Sequence, residues 1–227
     1  MILKTLITSC PRGILCLCCF LAGLGLTTVA CTQTATVRDA TVQEVKAFFD
    51  GQNKKVLTFA GYSGAGYEDE ASMLEQAERV LSEYDPAQTI VNGGATSEGI
   101  GAIYKLAKGK GFLTTGIVST QAKKDNAELS PYVDYVFYVE DATWGGFVEG
   151  SQQLSPTSKA MVENSDIIVG IGGGEVARDE MIAARRSGKQ VRFIPADMNH
   201  QKARDKAQKK GLPAPTDFSG AAGAAFR

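Results

Sequence analysis

Short β-rich runs alternate with helix-like segments along most of the chain, and this alternation restricts the possible fold more than any other feature. Residues 55–60 (KVLTFA) and 166–171 (DIIVGI) have the near-continuous apolar character of strands that are buried on both faces. Residues 69–84 carry apolar side chains at steps of three and four, which is typical of an amphipathic helix. The pattern predicts parallel βαβ units and a Rossmann-like three-layer α/β sandwich with a mostly parallel sheet.

The same patterns divide the chain into four parts. Residues 1–30 are predicted to be a signal peptide, residues 31–40 a tether, residues 41–212 the Rossmann-like domain, and residues 213–227 a flexible tail. Within the domain, further strands are predicted at 89–92, 112–119, 135–139 and 190–195, and further helices at 42–50, 101–108, 157–164, 174–186 and 202–210.

The first 31 residues contain all five cysteines of the chain (Cys10, Cys16, Cys18, Cys19 and Cys31). Residues 13–26 form an uncharged apolar run of signal-peptide length, shorter than the roughly 20 residues that a membrane-spanning helix needs. Small residues then lead to Cys31. The segment resembles a bacterial lipoprotein signal, which implies palmitate or a similar lipid on Cys31. A signal peptide cut after Ala30 and an uncleaved anchor are the alternatives, and all three place the domain outside the cytoplasm, on the periplasmic face in a Gram-negative cell.

The remaining chain holds no thiol and one imidazole, His200, which excludes a Cys/His zinc site and a disulfide framework. The whole chain has 24 Lys+Arg against 25 Asp+Glu, and removal of Lys4 and Arg12 with the signal changes the net charge from −1 to −3. This balance disfavours binding to nucleic acid. We expect no metal and no cofactor. The expected partners are a nucleotide-like small molecule and, through the lipid on Cys31, the membrane, and a homodimer stays open.

Three predicted strands end in glycine-rich loops that each precede a helix: loop 1 (residues 61–66), loop 2 (residues 93–101) and loop 3 (residues 172–174). Glycine allows close backbone approach, and a helix N-terminus offers free N–H groups, so phosphate is the natural ligand. None of the loops fits the dinucleotide G-x-G-x-x-G motif or a P-loop. Tight turns without any ligand are the alternative. The candidate ligand-binding residues are Gly61, Ser63, Gly64, Gly93, Gly94, Thr96, Gly99, Gly172, Gly173, Gly174 and Arg178.

Residues 92–101 (NGGATSEGIG) and 166–180 (DIIVGIGGGEVARDE) resemble the two glycine motifs of the SLOG superfamily, which includes lysine-decarboxylase-like phosphoribohydrolases. The resemblance covers about residues 54–197 and implies nucleotide binding, with Glu180 as the catalytic carboxylate. Gly172 replaces the proline of the family motif, and Val176-Ala177 replaces its Gly-Thr pair. The phosphate-cradling part of the motif is therefore better preserved than the hydrolytic part.

Glu175, Asp179 and Glu180 are the candidate catalytic carboxylates, because N-glycosidic cleavage needs a carboxylate at the sugar. Glu175 and Asp179 share one helix face, with Arg178 beside them. Capping of the helix by Glu175 and ion pairing by Arg178 are the structural alternatives. Other polar or aromatic residues expected at the same sheet edge are Tyr62, Ser97, Ser119, Thr120, Glu140, Asp141, Trp144, Asp197, Asn199 and His200.

Three hypotheses follow from the sequence. The first is a membrane-anchored, extracytoplasmic domain that binds a nucleotide or a nucleotide-derived small molecule through its glycine loops. The second is an N-glycosidase or nucleotide phosphoribohydrolase that uses Glu180. The third is a non-catalytic structural lipoprotein in which the glycine loops are turns only.

Replacing Cys31 with Ser removes the thiol that a lipoprotein signal presents to the lipid. We expect the Cys31→Ser variant to lose incorporation of labelled palmitate and to leave the membrane fraction. A Cys18→Ala variant serves as the control and should keep both properties, because Cys18 lies within the apolar run. Equal labelling of Cys31→Ser and the parent protein would contradict lipidation at this residue.

Overall fold

Seven parallel strands form one sheet in the computed structural model, which describes residues 35–226. The strand order is β1-β5-β4-β3-β2-β6-β7, and every neighbouring pair is parallel. The predicted α/β class with a parallel sheet is therefore confirmed. The strands are β1 (Thr36–Asp39), β2 (Lys55–Gly61), β3 (Thr89–Gly93), β4 (Leu113–Ser119), β5 (Tyr135–Val139), β6 (Ile167–Ile171) and β7 (Gln190–Ile194).

Helices connect the strands and cover the sheet. The side chains of Thr41, Asp69 and Asn199 each cap the N-terminus of a helix. Thr41 forms a capping box, in which its Oγ1 accepts from the Glu44 N–H and Glu44 Oε2 accepts from the Thr41 N–H. The helices are α1 (Val42–Gln52), α2 (Glu70–Leu81), α3 (Ile103–Gly109), α4 (Gln121–Lys124), α5 (Pro156–Glu163), α6 (Glu175–Arg186), α7 (His200–Lys209) and α8 (Gly220–Phe226), and a 3-10 turn (Gly99–Ala102) precedes α3.

The predicted tether, residues 31–40, is corrected in its second half. Residues 36–39 form β1 at the edge of the sheet, where the Thr36 N–H donates to Asp134 O and the Ala40 N–H donates to Tyr138 O. These bonds satisfy the edge of β5, whose backbone groups would otherwise lack a partner strand. All four residues of β1 are exposed, so their sequence shows no apolar alternation. The predicted signal peptide and Cys31 lie outside the described residues.

The predicted flexible tail, residues 213–227, is corrected as well. Residues 220–226 form α8, in which Ala222 and Gly223 are buried. Alanine and glycine pack closely against α6, and such small side chains produce no amphipathic pattern that the sequence could reveal. Among residues 35–226, no helix has both the length and the apolar character needed to cross a membrane.

The strand order places a topological switch point between β2 and β6. From β2 the chain adds β3, β4 and β5 on one side, and it then crosses to the opposite side of β2 to form β6 and β7. In open α/β sheets, ligands bind beyond the carboxyl ends of the strands at such a point. β3, β2 and β6 are direct neighbours, and each is followed by one of the three glycine loops. The fold therefore brings the loops to one edge.

A ladder of polar side chains crosses the buried centre of the sheet. Thr115 of β4, Asn92 of β3 and Thr58 of β2 are register partners, and all three are fully buried. Thr115 Oγ1 donates to Asn92 Oδ1 at 2.9 Å, and Asn92 Nδ2 donates to Thr58 Oγ1 at 3.1 Å. The Thr58 and Ser165 hydroxyls are 2.6 Å apart. The ladder joins β4, β3 and β2 to the segment that enters β6 and so fixes the strand register.

Replacing Asn92 with Ala leaves the hydroxyls of Thr115 and Thr58 with fewer partners inside the sheet. We expect the free energy of unfolding to fall by about 2–4 kcal/mol, because buried hydrogen bonds are lost and a cavity forms. Urea unfolding measures the change. Gln88→Ala, at an exposed position just before β3, is the control and should stay within about 0.5 kcal/mol of the parent. Unchanged stability of Asn92→Ala would show that the ladder contributes nothing.

Candidate functional site

The three glycine loops contact one another at the carboxyl edge of the sheet. The Ile100 N–H donates to Tyr62 O at 2.7 Å, which joins loop 2 to loop 1. The Tyr67 hydroxyl accepts from the Tyr62 N–H at 3.2 Å and donates to Ile171 O at 2.7 Å. This second contact joins the segment after β2 to the end of β6. We call the part of the carboxyl edge that residues 61–62 and 172–174 border the switch-point crevice.

Close packing within the protein explains most of the predicted ligand-binding glycines. A Cβ atom on Gly61 would overlap the Tyr67 hydroxyl, and one on Gly172 would lie 2.6 Å from both Ala196 O and the Tyr62 ring. These positions need glycine whether or not a ligand binds. Similar crowding occurs at Gly93, Gly99, Gly101 and Gly173.

Gly94 and Gly174 differ from the other glycines of the loops. No atom lies within 4 Å of the place that a Cβ atom would occupy at either residue. Gly174 is the N-cap of α6 and has an extended backbone with φ of −86°, which any residue can adopt. Packing therefore does not account for glycine at these two positions, which face open space. Of the other predicted residues, Gly64 lies near Glu98, Ser63 is exposed and Thr96 is half-buried.

The N-terminus of α6 lies at this edge and has the backbone features of an anion-binding element. Within residues 35–226, no side chain caps it. The first turn of a helix presents free N–H groups and the positive end of the helix dipole, and α6 is 12 residues long. Glu175 is the acidic residue of that turn, and it is exposed.

Asp179 and Glu180 are buried and hold a neighbouring loop. Asp179 Oδ2 accepts from the Phe147 N–H at 2.9 Å, and the Ser158 hydroxyl donates to Glu180 Oε1 at 2.7 Å. The Gly146 N–H donates to the same Ser158 hydroxyl at 2.7 Å. Both carboxylates thus fasten residues 146–158 to α6. Glu175 differs from them in being exposed, and a catalytic role for the three carboxylates stays a prediction.

Arg178 pairs with the carboxylate beside it. Its Nε and Nη2 atoms each lie 2.8 Å from Asp179 Oδ1, and about a third of its side chain is exposed. The structural alternative for Arg178, an ion pair within the helix, is therefore what the structure shows.

Burial raises the pKa of Glu180 to about 7, and the neighbouring Asp179 carboxylate contributes to the rise. The hydrogen bond from Ser158 opposes both effects. The pKa of Asp141 is lowered. Burial alone would raise this pKa, but the carboxylate accepts hydrogen bonds from the N–H groups of Thr157 and Thr143, and these bonds outweigh the effect of burial. Because Thr157 lies in the first turn of α5, Asp141 caps that helix from the preceding loop.

Trp144 is an exposed aromatic residue in the loop that packs against the start of α6. About 43% of its surface is exposed, and its Nε1–H donates to Asp125 at 3.1 Å. The next residue, Gly145, packs against Val176 in the first turn of α6, where an added Cβ would lie 3.0 Å from Cγ1. Trp144 is therefore adjacent to the residue that contacts the α6 N-terminus.

The remaining polar candidates lie around two other cavities or inside the protein. A cavity of about 360 Å³ is lined by Glu68, Asp69, Asp197 and His200 among others. His200 Nδ1 lies 3.6 Å from Glu68 Oε1, and Nε2 lies 3.5 Å from Asp197 Oδ2. These carboxylates make the cavity unfavourable for phosphate.

A wider groove of about 890 Å³ includes Thr120, Glu140 and Asp141 in its lining, near the ends of β1 and β5. Ser119 is buried and donates to Thr143 O. Asn199 caps α7 by accepting from the Lys202 N–H at 2.9 Å. In the described part of the chain, no group of three His, Cys, Asp or Glu side chains could hold a metal ion.

Comparison with known proteins yields similarities of structure alone. No protein-family model and no curated protein matches the chain. A molybdenum cofactor binding protein from Rippkaea orientalis is 16% identical, with a TM-score of 0.47, over 70% of this chain and 85% of that one. A Moco carrier protein from Chlamydomonas reinhardtii is 18% identical, with a TM-score of 0.45, over 75% and 94%. DNA processing protein A from Streptococcus pneumoniae is 13% identical, with a TM-score of 0.44, over 74% and 61%.

At such identities and scores the likeness concerns the fold alone. The fold class of this chain rests on its own parallel sheet and strand order.

The sequence did not reveal several residues that shape the site. Tyr67, whose hydroxyl joins the segment after β2 to the end of β6, is only 5% exposed. Tyr62, which is 3% exposed, is among the residues that the sequence placed at this edge. Ser158 links Gly146 to Glu180 from a helix about 20 residues earlier in the chain. The position of Tyr67 directly after loop 1 was the one available signal for its role. A buried tyrosine hydroxyl usually finds a hydrogen-bond partner, and the backbone of a loop offers several.

Glu180 should make the stability of the protein depend on pH. Its pKa is about 7 in the folded state and near 4.5 in the unfolded state, so the folded state holds the extra proton between these values. Stability should therefore fall as the pH rises from about 4.5 to 7. We expect Glu180→Gln to be more stable than the parent by up to about 3 kcal/mol at pH 8, with little difference at pH 4.5.

Thermal unfolding of the parent and the variant across this pH range measures the difference. Glu175→Gln is the matched control, because its carboxylate is exposed, and it should follow the parent. A constant difference between Glu180→Gln and the parent at every pH would show that Glu180 does not titrate in this range.

Proposed function

We propose that the domain binds a phosphate-bearing small molecule, in the simplest case a nucleotide, without hydrolysing it. The observation that carries the proposal is the N-terminus of α6, which no described side chain caps and where Gly174 faces open space beside the switch point. Backbone N–H groups at such a terminus bind phosphate, and the helix dipole favours the negative charge.

Gly94 supplies a second open position at a suitable distance. β3, β2 and β6 are consecutive neighbours in the sheet, and strands lie about 4.8 Å apart, so the ends of β3 and β6 are separated by about 10 Å. A ligand the size of a nucleotide spans that distance. The exposed indole of Trp144, next to the residue that contacts Val176, offers a flat face on which a base could stack.

The positions of the carboxylates favour binding over hydrolysis. Cleavage of an N-glycosidic bond needs a carboxylate that touches the sugar. Glu180 and Asp179 are buried and already bonded to Ser158 and Phe147, whereas Glu175 is exposed. The resemblance to the SLOG motifs agrees with this, since its hydrolytic part is the less preserved one.

Membrane attachment forms the second part of the proposal. The apolar run at residues 13–26 and the small residues before Cys31 support a lipid on Cys31 that holds the domain at a membrane outside the cytoplasm. The protein would then be a membrane-held binding module or sensor for a phosphate-bearing molecule.

A thermal-shift panel of AMP, ADP and inorganic phosphate tests the binding site. A ligand present at 100 times its Kd should stabilise the parent by about 2.7 kcal/mol. Gly174→Val and Gly94→Val should fold normally, because their new side chains meet no atom within 4 Å at Cβ, but should lose the stabilisation by blocking the site. Gly109→Val is the matched control: it is equally free of contacts, lies at the end of α3, and should respond like the parent.

Two results would overturn the proposal. If none of the three compounds stabilised the parent, a phosphate-bearing ligand would be contradicted. Release of free base from AMP, abolished by Glu180→Gln but not by Glu175→Gln, would show that the protein is a hydrolase rather than a binding module.

A further inference from the structure

The C-terminal segment crosses the switch-point crevice. We call residues 217–222 the closing segment. Tyr62 of loop 1 donates through its hydroxyl to Phe218 O at 3.3 Å, and the Ala222 N–H donates to Gly173 O of loop 3 at 3.0 Å. The Met198 N–H also donates to Phe218 O, at 2.9 Å. The segment is thus bonded to both loops that border the crevice.

Gly220 lies at the tightest point of this contact. Its φ is +67°, a conformation that favours glycine, and a Cβ atom there would lie 2.5 Å from Gly173 O and 2.6 Å from the Tyr62 hydroxyl. The flanking Ser219 and Ala222 are at most 1% exposed. The closing segment therefore fills the space above Tyr62 and Gly173, and a ligand cannot occupy that space at the same time.

Two aromatic side chains, Phe218 and Phe226, anchor the closing segment and its continuation. That continuation, α8, has the sequence GAAGAAF, so alanine and glycine supply most of its contact with α6, and glycine within a helix costs about 1 kcal/mol relative to alanine. Phe226 packs 5.8 Å from Phe193, and Phe218 stacks 3.9 Å from His200, measured between ring centroids. The Arg185 guanidinium lies 4.5 Å from the Phe226 ring centroid, and that of Arg204 lies 5.4 Å from the Phe218 centroid. Release of the segment therefore has to break these two aromatic anchors as well as its hydrogen bonds to the loops.

We infer that the closing segment is a built-in competitor of the ligand at the switch-point crevice. This inference rests on the proposed function. In the closed state, the N-terminus of α6 and Gly94 stay open to the phosphate, while the closing segment covers Tyr62 and Gly173. Release of the segment exposes these residues to the rest of the ligand. Because only the open fraction binds fully, the apparent Kd equals the Kd of the open state divided by the open fraction.

Calorimetric titration with AMP tests the inference on the whole chain. Gly220→Val places a side chain where the closed state has no room, so we expect it to bind AMP at least tenfold more tightly than the parent. Phe226→Ala, which weakens the anchor outside the crevice, should give a smaller gain. Ala225→Val, at an exposed position of α8, is the matched control and should keep the affinity of the parent.

Hydrogen exchange of the Ala222 amide reports the state of the segment independently of any ligand. We expect faster exchange in Gly220→Val and Phe226→Ala than in the parent, with the same circular-dichroism spectrum. Unchanged exchange in both variants would overturn the inferred release of the segment. Faster exchange with unchanged or weaker AMP binding would overturn the competition but leave the proposed function standing. Absence of AMP binding in the parent and in every variant would overturn the proposed function and the competition with it.

Discussion

The hydroxyl group of Tyr67 connects the two sides of the sheet where the strand order reverses. It accepts from the Tyr62 N–H and donates to Ile171 O, so one buried oxygen links the segment after β2 to the end of β6. Burial raises the pKa of Tyr67 far above its usual value, and the group therefore stays a neutral donor at any physiological pH. Gly61 has to be glycine to make room for this oxygen. The direction in which loop 3 leaves β6, and hence where α6 begins, depends on this contact.

The sequence predicted the central strands well because they are buried on both faces, so their apolar runs are nearly continuous. It failed at both ends of the domain for physical reasons. β1 is exposed along its whole length and is held by backbone hydrogen bonds, which do not depend on side chains. α8 packs through alanine and glycine, whose close approach leaves no periodic pattern. Both β1 and α8 form because of contacts with segments that are distant in sequence.

The candidate site was only partly predictable, because glycine has two uses that look the same in a sequence. At Gly61 and Gly172, neighbouring protein atoms occupy the place that a side chain would need. At Gly94 and Gly174, that place is open space. The carboxylates were equally ambiguous. Helical spacing placed Glu175 and Asp179 on one face, but the loop at residues 146–158 covers Asp179 and leaves Glu175 in solvent. Local spacing carries no information about which distant loop packs on a helix.

The short strand β1 has a consequence for how the molecule behaves at high concentration. An unpaired sheet edge can recruit a strand from another chain, which is a route to aggregation. The edge strand β1 is only four residues long, and its last two residues, Arg38 and Asp39, are charged. The Arg38 guanidinium lies 5.0 Å from the Phe137 ring centroid, and Asp39 pairs with Lys123. At the opposite border, β7 carries Arg192, which pairs with Glu83 at 2.7 Å. Charged residues thus flank the sheet on both sides, so crowding many copies on one surface should not join them strand to strand.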